Sequence, residues 1–119
     1  MNKKILIVDD ALFMRKMIRN ILEKIDSIDI KEAENGEEAL KIYEQEKADL
    51  ILLDITMPGM SGLEVLEKIR SENEDACVIM CSAVGQESML QKSVLLGARD
   101  FIVKPFKKDE FLKIVQHYL

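Results

Sequence analysis

Short continuous apolar runs alternate along the chain with longer segments in which apolar residues recur every three or four positions. The continuous runs are typical of strands buried on both faces, and the longer period is that of an amphipathic helix. The runs predict strands over residues 5–8, 28–33, 50–53, 78–81 and 101–103. A helical segment follows each of them, so the pattern predicts an α/β fold with a parallel sheet.

Apolar stripes indicate which faces the helices should bury. The stripe of the first helix consists of Met14, Met17, Ile18, Ile21, Leu22 and Ile25. In the fourth helix, between Gly85 and Gly97, we expect Leu90 and Val94 to face the sheet.

The second predicted strand differs from the others because polar and apolar residues alternate between Ile28 and Ala33. A half-polar strand belongs at a sheet edge, whereas the apolar first, third and fourth strands belong inside. Right-handed crossovers then favour a doubly wound, flavodoxin-like three-layer sandwich with strand order 2-1-3-4-5. We expect residues 1–119 to form this single domain.

Composition argues against several classes of function. The formal net charge of −5 disfavours nucleic-acid binding through a basic surface, and no apolar run approaches the roughly 20 residues of a membrane span. The N-terminal residues lead straight into the first strand without a signal-peptide cleavage site. Cys77 and Cys81 match neither a redox motif nor a zinc site, so we expect reduced cysteines in a cytoplasmic protein.

Polar residues gather where the predicted strands end. Asp9 and Asp10 follow the first strand, Asp54 the third, Ser82 the fourth and Lys104 the fifth. In a doubly wound sheet, functional groups lie beyond the carboxyl ends of the strands, so these five side chains should meet. A single aspartate after a strand is usually a turn residue or a helix cap, but turn chemistry does not explain all five residues together.

Three carboxylates in one place repel one another, and a hard divalent cation such as Mg²⁺ relieves that repulsion. Asp54 stands alone after the central strand, next to a loop containing Gly59 and Gly62 that leaves it accessible. It is therefore the candidate nucleophile, and its attack on phosphorus would give an acyl phosphate. Lys104 and Ser82 would contribute a positive charge and a hydroxyl donor to the phosphoryl oxygens.

These residues, taken with their neighbours, resemble the receiver domains of two-component response regulators. The matching segments, in order and at the family's spacing, are Asp9-Asp10, residues 54–62, Ser82-Ala83 and Lys104-Pro105-Phe106. The resemblance covers the whole chain, and residues 9–15, 54–58 and 81–86 are most similar to the chemotaxis regulators of that family. Because the family is itself a standard example of the 2-1-3-4-5 order, it gives the fold prediction no independent support.

The resemblance implies a role for each acidic residue. Asp54 would be phosphorylated by a histidine kinase or a small phosphodonor. Ser82 and Lys104 would bind the phosphoryl group. Asp10 and Asp54 would hold Mg²⁺ together with the backbone carbonyl of Thr56, and Asp9 would act largely through water.

The resemblance also implies a switch. Ser82 would move toward the phosphoryl group, and Phe101, at the family's aromatic position, would rotate inward. Phe101 lacks the hydroxyl of the tyrosine often found there, Ser82 replaces the commoner threonine, and the Lys104–Pro105 bond would be cis. The face formed by the fourth helix, fifth strand and fifth helix would then change.

That face should bind the output partner. The candidate contacts on it are Gln91, Lys92, Arg99, Lys107, Lys108 and Lys113. Five of these six are basic, which favours an acidic or amphipathic partner such as a flagellar switch protein or another protein target.

The chief alternative is a stand-alone or excised receiver domain of a phosphorelay or regulator unrelated to chemotaxis. An aspartate-nucleophile phosphatase would need a second aspartate two residues after the nucleophile, where this chain has Thr56. A flavin-binding module of the same fold would place a phosphate loop where Asp9 and Asp10 would repel the flavin phosphate. We therefore expect a monomeric phosphoacceptor switch, not an enzyme acting on external substrates, with a phosphatase among its partners.

Overall fold

The computed structural model describes residues 2–119, in which five parallel strands alternate with five helices. The strands are β1 (Lys3–Val8), β2 (Ile28–Ala33), β3 (Leu50–Asp54), β4 (Val78–Ala83) and β5 (Asp100–Lys104). The helices are α1 (Leu12–Leu22), α2 (Gly36–Gln45), α3 (Gly62–Glu72), α4 (Glu87–Leu95) and α5 (Lys108–Tyr118). The sheet order is β2-β1-β3-β4-β5, which confirms the prediction from the sequence.

Alternate side chains of the inner strands supply two apolar cores, one on each face of the sheet. In β1, Ile5 and Ile7 belong to the core beneath α1 and α5, whereas Leu6 and Val8 belong to the core beneath α2, α3 and α4. The four apolar residues of β3 alternate between the two cores in the same way, and Asp54 at the end of the strand is also buried. Burying a Leu or Ile side chain contributes about 1.5–3 kcal/mol, so these continuous runs fix β1 and β3 in the interior of the sheet.

The sheet edge at β2 and the packing of α1 also agree with the sequence pattern. Along β2, partly buried side chains alternate with exposed ones up to the buried Ala33. In α1, Ile18, Ile21 and Leu22 of the predicted stripe are buried. The polar–apolar pattern of β2 and α1 therefore indicates correctly which of their residues face the core.

The predicted orientation of α4 is wrong at one position. Leu90 is partly buried against the core, but Val94 is 55% exposed and Ser93 is buried in its place. The hydroxyl of Ser93 donates a hydrogen bond to the carbonyl of Leu90 at 2.6 Å, which satisfies this polar group inside the fold. As a result, Val94 and Leu95 face outward.

The start of α3 packs directly against the end of β3. Ser61 caps the helix by accepting a hydrogen bond from the amide of Glu64 at 3.3 Å, and the amide of Gly62 donates to the carbonyl of Ile55 at 2.8 Å. A Cβ atom at Gly62 would collide with the backbone of Asp54 and Ile55. This close approach holds the segment that follows Asp54 in place.

Each helix among residues 2–119 is too short or too polar to span a membrane. Cys77 and Cys81 carry free thiols, the first partly buried and the second buried. Burial raises the pKa of the Cys81 thiol to about 12, so this thiol stays protonated as a core residue.

Candidate functional site

The carboxyl ends of β1, β3 and β5 bring acidic and basic side chains together. Asp54 is the last residue of β3, Asp9 and Asp10 directly follow β1, and Lys104 ends β5. One carboxylate oxygen from each of the three aspartates lies within 4.8 Å of the other two. The three carboxyl groups that the sequence singled out therefore form one cluster at this edge of the sheet.

Asp9 is held in position by several hydrogen bonds. Its side chain is buried, and Oδ1 accepts a hydrogen bond from the amide of Ala11 at 2.9 Å. Its backbone carbonyl accepts a hydrogen bond from Nη1 of Arg15 at 2.7 Å, and Nε of Arg15 pairs with Glu32 at 3.1 Å. The charge pair with Glu32 orders the largely buried Arg15, and so fixes the loop that carries Asp9 and Asp10.

Lys104 places one ammonium group between two carboxylates. Its Nζ lies 2.8 Å from Oδ2 of Asp9 and 3.5 Å from Oδ1 of Asp54. Burial works against the charged form, but the hydrogen bond to Asp9 and the field of Asp54 outweigh it and raise the pKa of Lys104. Lys104 therefore stays charged at neutral pH. The peptide bond between Lys104 and Pro105 is cis, as the family resemblance implied.

Burial acts strongly on Asp54, whose side chain is only 11% exposed. It raises the pKa of Asp54 from 3.8 to about 6, while Lys104 opposes the rise and the charges of Asp9 and Asp10 add to it. The ionised form of Asp54 is thus destabilised relative to a solvated carboxylate. A cation bound among the three carboxylates would relieve that destabilisation.

The donor set fits a hard divalent cation. All three groups of the cluster are carboxylates, the ligands that Mg²⁺ and Ca²⁺ prefer. Asp9 and Asp54 are buried, whereas Asp10 is exposed, so the cluster is open to solvent on one side. An open side suits Mg²⁺ in particular, because this ion keeps several waters and binds phosphate oxygens.

Ser82 and Phe101 lie on the same face of the sheet, in the neighbouring strands β4 and β5. The register pairs Met80 with Phe101 and Ser82 with Val103. Phe101 therefore lies two residues before the partner of Ser82, on the same face of the sheet. Ser82 is buried, whereas Phe101 is 43% exposed. A buried hydroxyl and a partly exposed aromatic ring are therefore near neighbours at this edge.

The six residues predicted to contact a partner are all exposed, and they are Gln91, Lys92, Arg99, Lys107, Lys108 and Lys113. Exposed apolar side chains that the sequence reasoning missed lie on the same elements, namely Val94 and Leu95 of α4 and Val103 of β5. Periodicity did not find them, because an apolar residue in a helix or strand is normally assigned to the core. This surface therefore carries exposed basic and exposed apolar side chains.

Two further contacts near the cluster were not predicted from the sequence. One is the hydrogen bond from Arg15 to the backbone carbonyl of Asp9. The sequence signal for it is that Asp9 lies shortly before the first helix and Arg15 lies in that helix. The other is made by Gln86, which accepts a hydrogen bond from the amide of Ala83 and donates one to the hydroxyl of Thr56. No periodic pattern marks Gln86, since its contacts depend on how two loops meet.

The strand order and the cluster of three aspartates agree with the receiver-domain resemblance of the sequence. Residues 5–116 match the sequence profile described as the response regulator receiver domain, and the chain belongs to this family. CheY of Listeria monocytogenes is 52% identical over 113 residues, which cover 95% of each chain. CheY of Bacillus subtilis is 47% identical over 119 residues, which cover 100% of this chain and 99% of that one.

Two other similar proteins extend the comparison. Sporulation initiation phosphotransferase F of Bacillus subtilis is 40% identical over 119 residues, which cover 100% of this chain and 95% of that one. The solved structure of a CheY-like receiver domain protein from Methanospirillum hungatei superposes with a TM-score of 0.91 at 30% identity, covering 98% of this chain and 93% of the other. The predicted fold and family are both confirmed.

Proposed function

We propose that this receiver domain is a signalling switch that accepts a phosphoryl group on Asp54 in a Mg²⁺-dependent reaction. The observation that carries the proposal is the cluster of three carboxylates beside the ammonium group of Lys104. Asp54 is the member of that cluster that ends a central strand of the sheet. We assign residues 1–119 to this one domain.

Asp9, Asp10, Asp54 and the backbone carbonyl of Thr56 would hold the Mg²⁺ ion, with Asp9 acting largely through water. When bound, the ion supplies positive charge that offsets the negative charge of the transferring phosphoryl group. The chemistry of the carboxylate cluster, with its open side at Asp10, supports this donor set.

The reaction is a displacement at phosphorus. A carboxylate oxygen of Asp54 forms a bond to the phosphorus atom of the donor, while the bond from phosphorus to the leaving group breaks. The leaving group, either a histidine nitrogen of a kinase or the acetate of acetyl phosphate, departs with its electron pair. Lys104 places its charge beside the phosphoryl oxygens, and Ser82 donates a hydrogen bond to one of them.

The output is a change of the face formed by α4, β5 and α5. The phosphoryl group of an acyl phosphate on Asp54 carries about −1.5 to −2 charge, which draws the hydroxyl of Ser82 toward it. Phe101, its near neighbour on the same face of the sheet, then rotates into the vacated space. A coupling of about 1–3 kcal/mol between the two events is enough for signalling.

The partners we propose are a histidine kinase as phosphodonor, a target protein bound by the α4–β5–α5 face, and a phosphatase. The names of two relatives favour chemotaxis, with a flagellar switch protein as the target. The name of a third relative supports the alternative of a phosphorelay receiver. We propose a monomeric cytoplasmic protein that does not turn over external phosphomonoesters, because Thr56 stands where a phosphatase of this type needs an acid.

Labelling with acetyl phosphate tests the phosphoacceptor assignment. In the presence of Mg²⁺, intact-protein mass spectrometry should record a gain of one phosphoryl group that hydroxylamine removes, as expected of an acyl phosphate. The gain should be absent in EDTA and in Asp54→Ala, and Asp10→Asn should need more Mg²⁺ than the wild type. Asp26→Ala, which removes an exposed loop carboxylate, is the matched control and should be labelled normally.

Full labelling of Asp54→Ala would overturn the choice of nucleophile. Full labelling of the wild type in EDTA would overturn the metal requirement. Release of phosphate from generic phosphomonoesters at many turnovers per protein would favour the phosphatase instead.

A further inference from the structure

The side chain of Gln86 joins the two segments that flank Asp54. Its Oε1 accepts a hydrogen bond from the amide of Ala83 at 2.6 Å, and its Nε2 donates one to Oγ1 of Thr56 at 2.5 Å. Thr56 lies two residues after Asp54, and Ala83 ends β4 directly after Ser82. Gln86 thus bridges the loop that follows the proposed nucleophile and the strand end that carries the hydroxyl donor.

A backbone turn between Ala83 and Gln86 supports this bridge. The amide of Gln86 donates to the carbonyl of Ala83 at 3.3 Å, so both backbone polar groups of Ala83 are bonded to Gln86. The turn between them places Gly85 at a φ of +95°, a conformation that favours glycine. Ala83 and Thr56 are exposed and Gln86 is partly buried, so the bridge lies at the surface of the site.

We propose that Gln86 is a latch that opposes phosphorylation of Asp54 and that opens when Ser82 moves toward a phosphoryl group. This inference rests on the proposed function of Asp54. Ser82 and Ala83 share a peptide unit, which is planar and moves as one body. When the backbone of Ser82 shifts together with its hydroxyl, the amide of Ala83 is therefore displaced from Oε1 of Gln86.

The second hydrogen bond explains why the side chain cannot simply follow. Gln86 is tied to Thr56 on the other loop, so a displacement that keeps one of its two hydrogen bonds strains the other. The two side-chain hydrogen bonds of Gln86 run to Ala83 and Thr56 and not to Asp54, so Gln86 is a positioning residue. Its effect is to hold the site in the unphosphorylated arrangement.

Removing the latch should make phosphorylation easier. Loss of one net hydrogen bond corresponds to about a fivefold change in an equilibrium, so Gln86→Met should raise the initial rate of labelling by acetyl phosphate about fivefold. The Mg²⁺ concentration for half-maximal labelling should not change. Because the expected effect is a gain, a variant that merely failed to fold would not imitate it.

Two more variants sharpen the test. Thr56→Val removes the hydroxyl partner but keeps the backbone carbonyl, so it should give a smaller gain than Gln86→Met. When Thr56→Val is combined with Gln86→Met, the labelling rate should rise no further than in Gln86→Met alone, because the two substitutions break the same bridge. Gln45→Met makes the same chemical change at the exposed end of α2 and should be labelled at the wild-type rate.

Hydrogen exchange of the Ala83 amide, measured by NMR in the unphosphorylated protein, detects the latch itself. Exchange should be slow in the wild type and in Gln45→Met, and about fivefold faster or more in Gln86→Met. Equal exchange rates, or equal labelling rates of Gln86→Met and the wild type, would overturn the latch. A wild type that takes no label at all would instead overturn the proposed function, so the two failures are distinguishable.

Discussion

Replacing Asp54 with asparagine should stabilise the metal-free protein even though it removes the proposed phosphoacceptor. Burial raises the pKa of Asp54 from 3.8 to about 6, so the folded state holds a proton at this carboxyl group more tightly than the unfolded chain does. Stability therefore falls as the pH rises from about 4 to about 6, and above that range the ionised group costs about 3 kcal/mol. Asparagine is similar in size and uncharged, so the variant does not bear that cost.

The expected gain depends on pH. At pH 8, Asp54 is ionised in both states of the wild type, and the variant should be more stable by up to about 3 kcal/mol. At pH 5, proton binding to the folded wild type recovers about half of the cost, so the gain should shrink to about 1.5 kcal/mol. Losing the 3.5 Å contact with Lys104 works against the gain, but Lys104 keeps its 2.8 Å pair with Asp9.

Urea unfolding in EDTA, followed by far-ultraviolet circular dichroism because the chain has no tryptophan, measures this difference. Asp26→Asn removes the same charge from an exposed loop residue, and so controls for the change in net charge. The reasoning is refuted if Asp54→Asn is no more stable than the wild type at pH 8. It is also refuted if the gain is equal at both pH values, since the cause would then not be the charge.

Two other substitutions test the site and the backbone around it. Lys104→Met should slow labelling by acetyl phosphate about tenfold or more, because hydrogen bonds to charged groups contribute about 1.5–3 kcal/mol, and an unchanged rate in mass spectrometry would contradict its role. Gly62→Ala should lower the free energy of unfolding by about 1–3 kcal/mol, since its Cβ would collide with the backbone of Asp54 and Ile55. Urea unfolding measures this loss, and an equally stable variant would argue against the close approach.

The strand order was predictable because burial on two faces leaves a visible pattern in the sequence. β1 and β3 contain continuous apolar runs, whereas β2 alternates and lies at the edge. Parallel strands also end at one edge of the sheet, so the residues that follow the runs, including Asp9, Asp54 and Lys104, were expected to meet. The strand order and the meeting of these residues both follow from the direction of the chain and from the spacing of apolar residues in strands and helices.

The orientation of α4 and the bridge made by Gln86 were not predictable in this way. α4 has nine residues, and its few apolar positions do not fix a face, so its neighbours decide that Ser93 rather than Val94 is buried. The contacts of Gln86 depend on the positive φ of Gly85 and on the distance between two loops. Neither quantity leaves a periodic signal in the sequence.

The distribution of charge at the site links the stability of the fold to its proposed chemistry. Two buried carboxylates share the ammonium group of Lys104, which lies closer to Asp9 than to Asp54, at 2.8 Å against 3.5 Å. Asp54 is therefore the less compensated of the two, and a site selected for stability alone would carry a neutral residue there. Loss of labelling and gain of stability in EDTA should accordingly appear together in Asp54→Asn. A variant that lost the label without becoming more stable would break that link and leave the burial of Asp54 without a functional explanation.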